Sequence, residues 1–272
     1  MTHDTRNVLL LNRDRTRRLV VTAALGALFL AGGCRTVPER GRVEHKPGYR
    51  CPKTAIAPVI DGAFDEPAWQ HAERIGEFSI PVSQEVPLQQ TEARIMWDDT
   101  CLYIVFKTTD QDIWGLLTSH DAGTCREDVC EIFFKTDPEA EAYYNFEINA
   151  LGTVMDAYHY RVKAGMGHRW KNWNCEGIKT GVKIAGTLND WQDRDEYWQL
   201  EVAIPFASLP GLKGRIPRPG DRWLFHLARY DHSVYLEEGR ELASCAPLSI
   251  CSFHFWEDWL PLEFTGSRYQ SN

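Results

Sequence analysis

The sequence lacks the features that mark several common classes of protein. Basic residues are in the minority, with 30 lysines and arginines against 38 acidic residues, so a nucleic-acid partner is not expected. No C-x-x-C pair is present, which argues against a zinc site, and no nucleophile elbow marks a serine hydrolase. Internal repeats, low-complexity tracts and helical patterns longer than two or three turns are also absent, so a helical fold is not indicated.

The first residues have the composition of an export signal. Four arginines between positions 13 and 18 precede a short apolar run, Leu19 to Leu30, which ends in Ala31-Gly32-Gly33-Cys34. A basic region, a short apolar run and small residues are typical of a secretory signal, and the run is too short to span a bilayer comfortably. The cysteine after the small residues resembles a bacterial lipoprotein signal, and the alternative is an ordinary signal peptide with an incidental cysteine.

The lipoprotein interpretation divides the chain and predicts where it resides. Residues 1–33 are the signal peptide, Cys34 is lipidated, the polar residues 34–52 form a tether, 53–266 form the folded domain, and 267–272 are a tail. The protein is then exported and anchored through its N-terminal lipid to a membrane of the bacterial cell envelope, facing the periplasm or the cell surface.

The remaining cysteines are odd in number. One or two disulfides are reasonable outside the cytoplasm, at least one thiol must stay free or pair between molecules, and spacing alone does not assign partners. The seven are Cys51, Cys101, Cys125, Cys130, Cys175, Cys245 and Cys251.

The stretch from Asp128 to Tyr160 predicts three consecutive β-strands. Cys130, Ile132 and Phe134 alternate with Val129, Glu131 and Phe133, and the alternation continues through the next strand. The Asp137-Pro138 and Leu151-Gly152 steps supply the turns. We therefore expect a meander in which one face packs on the core and the other carries Glu131, Glu147 and Asn149 together.

Many short strands elsewhere favour a single antiparallel β-sandwich. Strands are predicted within 91–107, 178–188, 197–204, 222–230 and 262–264, with short strand character at 59–60 and a helical turn over 66–73. Trp69, Trp97, Trp198 and Trp223 lie in these patterns and are expected in the core.

The ordered set of motifs resembles the family 9 carbohydrate-binding modules, within the DOMON-like group of β-sandwiches. The matching segments are Ile60-Asp61-Gly62, Glu66-Pro67-Ala68-Trp69, Trp97-Asp98-Asp99, Leu102-Tyr103, Asp110, Asp128, Glu131-Ile132-Phe133, Tyr144-Asn145-Phe146, Asn149, Gly152, Asp156, Trp198, Glu201, Ala203-Ile204-Pro205-Phe206, Gly220-Asp221, Trp223 and Arg229. Together they span roughly residues 53–265.

The resemblance implies a non-catalytic site for a poly- or oligosaccharide of the xylan or cellulose type, linked to carbohydrate catabolism. Such modules hold a pyranose between two aromatic rings beside polar side chains. Glu131, Glu147 and Asn149 fall on the polar positions, and Arg229 is included in the set. The two stacking positions fall near Cys125 and at Phe253. Trp114, Trp173 and Trp256 are the candidate replacements from neighbouring loops.

Two other functions remain open. Glu131 and Glu147 could be the carboxyl pair of a glycoside hydrolase, or the sandwich could be a protein-binding scaffold of the envelope.

No cofactor is expected, although family members can carry structural calcium, for which Asp61, Asp98, Asp99 and Asp110 are candidates. Only four methionines are present and none pairs with histidine across strands, which argues against haem. His254 is expected to make a structural hydrogen bond or to contact a ligand.

Overall fold

The computed structural model describes residues 40–161, 169–171 and 173–266, and the side chains of 40–159 and 173–266. The predicted signal peptide, the predicted lipidation site Cys34 and the tail 267–272 lie outside these residues. Among the described residues, no helix has the length and apolar character needed to cross a membrane.

The larger sheet holds eight strands. Their spatial order is β1 (Tyr49–Pro52), β12 (Leu260–Thr265), β10 (Arg222–His232), β4 (Val129–Lys135), β5 (Tyr143–Asn149), β6 (Val154–Arg161) and β7 (Arg169–Lys171), with β11 (Arg240–Ser244) also paired to β10. All pairs are antiparallel except β1 with β12.

The smaller sheet faces the core with four antiparallel strands. Their order is β2 (Thr91–Trp97), β3 (Cys101–Thr109), β9 (Tyr197–Pro205) and β8 (Lys179–Ala185). The described helices are short 3-10 turns at Pro67–His71, Thr124–Arg126, Phe206–Ser208, Pro210–Leu212 and Trp256–Asp258. The β-sandwich predicted from the strand pattern is confirmed.

The core lies between the two sheets and contains most of the predicted tryptophans. Trp97, Trp198 and Trp223 are each at most 3% exposed and belong to the same apolar cluster. Trp69 is equally buried but packs on the opposite face of the smaller sheet, against Met96 and Tyr103. The helical turn that carries Trp69 therefore covers a second, smaller core.

The meander is confirmed, but its second face is not open to solvent. Residues 245–259, here called the covering segment, lie across the face of β4 and β5 that carries Glu131 and Glu147. Phe133 contacts Phe253 and Trp259 of this segment, with ring centroids 6.5 and 5.5 Å apart. Phe133 and Tyr143 also point to this face, so without a cover their rings would be exposed to water. The covering segment buries this aromatic surface.

The chain joins the sandwich before residue 53. His45 lies 3.0 Å from the carbonyl oxygen of Cys245 and 2.9 Å from Ser79 Oγ, and β1 pairs with β12. The residues of the predicted tether from 40 to 52 are thus in contact with the folded domain. The expected strand at 59–60 is not formed, because the Val59 N–H donates to the Glu66 carboxylate rather than to a neighbouring strand.

No disulfide joins the seven cysteines, all of which lie in the described part of the chain. Four of them, Cys51, Cys130, Cys175 and Cys245, are buried at separate places among apolar neighbours. The expected one or two disulfides are therefore wrong, since these thiols pack as small apolar groups in the core.

Candidate functional site

A cavity of about 380 Å³ opens on the face of β5 and β6 that bears Glu147, and is called here the β5–β6 cavity. Its size is within the range of small-molecule sites, roughly 300–1,000 Å³. The lining residues are Asp121, Ala122, Gly123, Cys125, Asn145, Glu147, Met155, Asp156, Ala157, His159, Trp173, Asn174 and His254.

The floor of the cavity comes from neighbouring positions on two strands. Asn145 is paired with Ala157, and Glu147 is paired with Met155, so all four side chains rise from one face. The small Ala157 leaves space above the Asn145 amide. Asn145 is 1% exposed, and its Nδ2 makes no hydrogen bond of normal geometry among the described residues, although the amide lies close enough to the Glu131 carboxyl to lower its pKa. A buried amide donor without an acceptor is costly, and a ligand acceptor would satisfy it.

Glu147 and Glu131 are directly opposite each other on β5 and β4. Burial raises the pKa of Glu147 to about 7, although Thr124 and the Cys125 backbone N–H act in the other direction by donating hydrogen bonds. Burial and the charge of Glu147 raise the pKa of Glu131 well above its usual range, and Asn145 partly opposes this. Only Glu147 of the pair lines the cavity, and Glu131 lies beside it on β4.

Two imidazoles, His159 and His254, line one wall, and the Tyr143 phenol packs against both. The rings of Tyr143 and His159 stack with centroids 4.4 Å apart and an angle of 8° between their planes. Tyr143 Oη is 2.9 Å from His254 Nδ1, which fixes the ring that the covering segment contributes. His254 therefore makes the expected structural hydrogen bond and lines the cavity as well.

Trp173 is the one predicted tryptophan that the structure brings to the cavity. Its Nε1 donates to the carbonyl oxygen of Ser208 at 3.0 Å, and its ring packs edge-on against Tyr144 and Phe146. The ring is therefore held in place at the edge of the larger sheet. Cys125, near the family's first stacking position, lines the cavity with a thiol and provides no ring.

Phe253 and Trp256 belong to the covering segment rather than to the cavity lining. Phe253 is 5% exposed and packs on Phe133, while Trp256 lies beneath the ammonium of Lys135, 4.8 Å from its ring centroid. Both rings hold the covering segment on the sheet. Phe253 and Trp256 therefore lie next to the site, and other side chains of the protein pack against their rings.

Asn149 and Trp114 lie elsewhere. The Asn149 amide donates to the Leu117 carbonyl oxygen and to Glu127, and its Oδ1 accepts from the backbone of Leu151 and Thr153. Every polar atom of Asn149 is therefore used in holding the loop after β5.

Trp114 lines a second cavity of about 340 Å³, together with Arg126, Glu127 and His232 among others. Its Nε1 donates to Asp112 at 3.0 Å. Trp114 is therefore separated from Glu147 and Trp173 by the loop 121–126, which lines the β5–β6 cavity.

Arg229 is fully buried within a group of carboxylates. Its Nη2 is 2.7 Å from Asp110 and 3.0 Å from Asp231, and its Nη1 donates to the Thr109 carbonyl oxygen. Burial raises the pKa of both aspartates, which the Arg229 charge opposes, and Asp231 reaches about 7. Arg229 therefore supplies the positive charge that this cluster, which includes the calcium candidate Asp110, requires.

Sequence reasoning missed Asn145 and His159, although the signal for both was present. Asn145 has the same strand parity as Glu147, and His159 has the parity of Ala157 on the paired strand. Alternation alone could have placed them beside Glu147. The part of the wall that alternation could not place is His254, because the covering segment has no strand periodicity.

Comparison with known proteins agrees with the fold. The model of the family described as "Carbohydrate family 9 binding domain-like" matches residues 60–243. Among curated proteins, none matches the chain. A "putative carbohydrate-binding protein" from Bacteroides uniformis is similar with a TM-score of 0.59 and 14% identity, over 80% of this chain and 99% of that chain.

Two structures of a family 9 carbohydrate-binding module from Caldicellulosiruptor kristjanssonii are similar as well. The complex with glucose has a TM-score of 0.51 and 16% identity, over 82% of this chain and 100% of that chain. The complex with cellotriose has a TM-score of 0.52 and 15% identity, over 82% and 97%. Identities this low show a shared fold, whereas the family model covers more than half of the sequence. The chain therefore belongs to the carbohydrate family 9 binding domain-like family.

Proposed function

We propose that the protein binds carbohydrate without cleaving it, and that the β5–β6 cavity is the site. The observation that carries the proposal is the floor, where the Asn145 amide, which lacks a hydrogen bond of normal geometry, lies beside the Glu147 carboxyl at the base of an open cavity. An amide and a carboxyl together offer the donors and acceptors that a pair of sugar hydroxyls needs.

The walls suit the apolar face of a sugar ring. His159, His254 and Trp173 present planar side chains to the cavity, and each is fixed by stacking or by a hydrogen bond. A pyranose has a C–H face that packs on such rings, while its rim of hydroxyls requires fixed polar partners. Family membership supports the same class of ligand, and the two related modules were solved with glucose and with cellotriose. We favour xylan- or cellulose-type oligosaccharides on this basis.

The carboxyl arrangement favours binding over hydrolysis. A glycosidase places its two carboxyl groups on either side of the scissile bond. Here Glu131 and Glu147 rise from adjacent positions on one face, and only Glu147 lines the cavity. Of this pair, a sugar above the floor would therefore meet only Glu147 and would not lie between the two.

Saccharide binding is expected to depend on Asn145. Titration calorimetry with glucose, cello-oligosaccharides and xylo-oligosaccharides should show saturable binding by the parent protein. Asn145→Ala should weaken it by about tenfold or more, the loss expected for one hydrogen bond to a buried group. The matched control is Glu263→Gln on β12, a partly exposed position at the far side of the same sheet.

Two results would reject the carbohydrate proposal. One is a lack of binding to any saccharide in a broad glycan array by the folded parent protein. The other is an Asn145→Ala variant that binds as tightly as the Glu263→Gln control, since the ligand would then lie outside the β5–β6 cavity.

The proposal includes attachment to the cell envelope through Cys34. The arginines before the apolar run and the Ala31-Gly32-Gly33-Cys34 sequence support lipidation and export. Cells expressing the full chain should incorporate labelled palmitate into it, and Cys34→Ser should abolish the label and release the protein from the membrane fraction. Cys251→Ser is the matched control, and equal labelling of both variants would contradict the lipid anchor.

A further inference from the structure

His120, Asp121 and Asp156 bring three ligand atoms together at the rim of the β5–β6 cavity. His120 Nε2 is 3.5 Å from Asp121 Oδ1 and 3.4 Å from Asp156 Oδ1, and the three atoms lie within 4.8 Å of one another. Asp121 and Asp156 both line the cavity. The backbone N–H of Asp121 donates to the Val154 carbonyl oxygen, which pins this loop to the strand that carries Asp156.

The Asp156 carboxyl is incompletely satisfied. Its side chain is fully buried, and Oδ2 accepts the backbone N–H of Cys175 at 2.8 Å. Oδ1 finds no hydrogen-bond donor among the described residues, and its contact with His120 is longer than a normal hydrogen bond. A buried carboxylate oxygen in this state is costly unless it gains a partner. His120 and Asp121 are exposed, so the group is open to solvent on the other side.

Two of the three separations match those around a tetrahedral metal ion. Nitrogen and oxygen ligands lie about 2.0–2.2 Å from zinc, so two ligands of one tetrahedral ion are roughly 3.4 Å apart. Both His120 contacts have this spacing, which is longer than a normal hydrogen bond, and the two carboxylate oxygens lie within 4.8 Å of each other. One imidazole with two carboxylates is a donor set suited to zinc and its neighbours in the first transition series.

We infer that His120, Asp121 and Asp156 form a binding site for a divalent transition-metal ion of the zinc type. Three protein ligands leave a fourth position on the ion, and that position borders the cavity. The ion would satisfy Asp156 Oδ1 and neutralise two carboxylates. No zinc motif is visible in the sequence, because Asp156 is far along the chain from the other two ligands and is brought to them by the position of β6 in the sheet.

Cobalt titration tests the site in the absence of any saccharide. The full chain carrying Cys251→Ser, which removes the exposed thiol among the seven, is titrated with Co²⁺ under reducing conditions. We expect one ion per chain, with visible d–d absorption and without the near-ultraviolet charge-transfer band of a thiolate ligand. His120→Asn should weaken binding by about tenfold to a hundredfold or more, since even the outer partners of metal ligands have effects of this size.

The matched control is His71→Asn, an exposed imidazole outside the three groups of metal-ligating side chains. Its affinity for Co²⁺ should equal that of the parent. Both His120 and Asp121 are exposed, so their variants keep the fold, and Asp121→Asn serves as the second ligand variant. Absence of saturable Co²⁺ binding, or equal affinity of the His120→Asn and His71→Asn proteins, would overturn the inference. Neither result bears on the carbohydrate proposal, because no sugar is present.

Discussion

Arg229→Met is expected to destabilise the fold by about 3–5 kcal/mol, the cost of removing one partner from a buried ion pair. The guanidinium contacts Asp110 and Asp231, and all three side chains are at most 4% exposed. Methionine fills a similar space but leaves the two carboxyl groups without a positive charge in a buried setting. Urea unfolding of the parent and the variant, followed by tryptophan fluorescence, measures the difference in the free energy of unfolding.

Arg222→Met is the matched control for this prediction, because Arg222 lies on the same strand with its side chain 73% exposed. Its free energy of unfolding should stay within about 0.5 kcal/mol of the parent value. Equal effects of the two substitutions would contradict the account of Arg229.

The Arg229→Met variant should recover stability as the pH falls. Burial already raises the pKa of Asp231 to about 7 and that of Asp110 above its usual range, and loss of the guanidinium raises both further. A carboxyl group with a higher pKa in the folded state takes up a proton there first, so lowering the pH stabilises the folded state. The gap between variant and parent should therefore narrow from about pH 8 to about pH 5. A gap that widens over this range would contradict the explanation.

Glu201→Leu should cost about 3 kcal/mol or more, because it leaves two buried donors and one part-buried donor without an acceptor, at about 1–3 kcal/mol for each buried one. Glu201 Oε2 accepts from the backbone N–H groups of Asp61 and Gly62, at 3.1 and 2.9 Å, and Oε1 accepts from Trp69 Nε1 at 2.8 Å. Glu201 is 0% exposed, so water does not replace the lost acceptor. The melting temperature and the urea midpoint should both fall.

The exposed Glu196, which lies just before β9, offers a matched control. Glu196→Leu removes the same charge and should change the free energy of unfolding by less than about 0.5 kcal/mol. An unfolding midpoint for Glu201→Leu equal to that of Glu196→Leu would show that the three donors find other acceptors.

The close packing around Glu201 also explains why the Asp61-Gly62 turn contains a glycine. Gly62 has a φ of 84°, and a Cβ there would come within 2.6 Å of the Val182 backbone. Gly181, which pairs with Glu201 across β8 and β9, would meet the Gly62 nitrogen at 2.6 Å in the same way. Two segments of the chain therefore lie backbone to backbone above the Glu201 carboxylate. Only glycine, which has no Cβ, allows an approach this close.

The strand pattern predicted most of the fold because alternation is a local property. The three strands of the meander, the buried tryptophans and the helical turn predicted over 66–73 all follow from residues close in sequence. The covering segment did not, because Phe253, Trp256 and Trp259 are each three residues apart, which is not the alternation of a strand, and they pack through contacts with distant strands. The β1 strand was missed for a similar reason, since its partner β12 is at the other end of the domain.

The candidate site was predictable only where strand parity determines it. Glu147 was placed on the correct face by alternation, and Asn145 follows by the same rule. Asn149 points to the same face by alternation, but its amide donates to Leu117 and Glu127. These two residues lie in a loop whose path the sequence does not indicate. The structural role of Arg229 was not predictable either. Its carboxylate partner Asp110 follows the end of β3, in a segment without strand or helix periodicity.

The covering segment has a consequence for the order in which the chain can complete its fold. The floor of the cavity is synthesised in the middle of the chain, whereas His254 and the rings that shield Phe133 and Tyr143 come only after β11. A chain still being synthesised would therefore hold an uncovered aromatic sheet face until its last residues arrive. Premature termination before residue 245 would leave that face available to other chains, so the sandwich is complete only once the covering segment has been made.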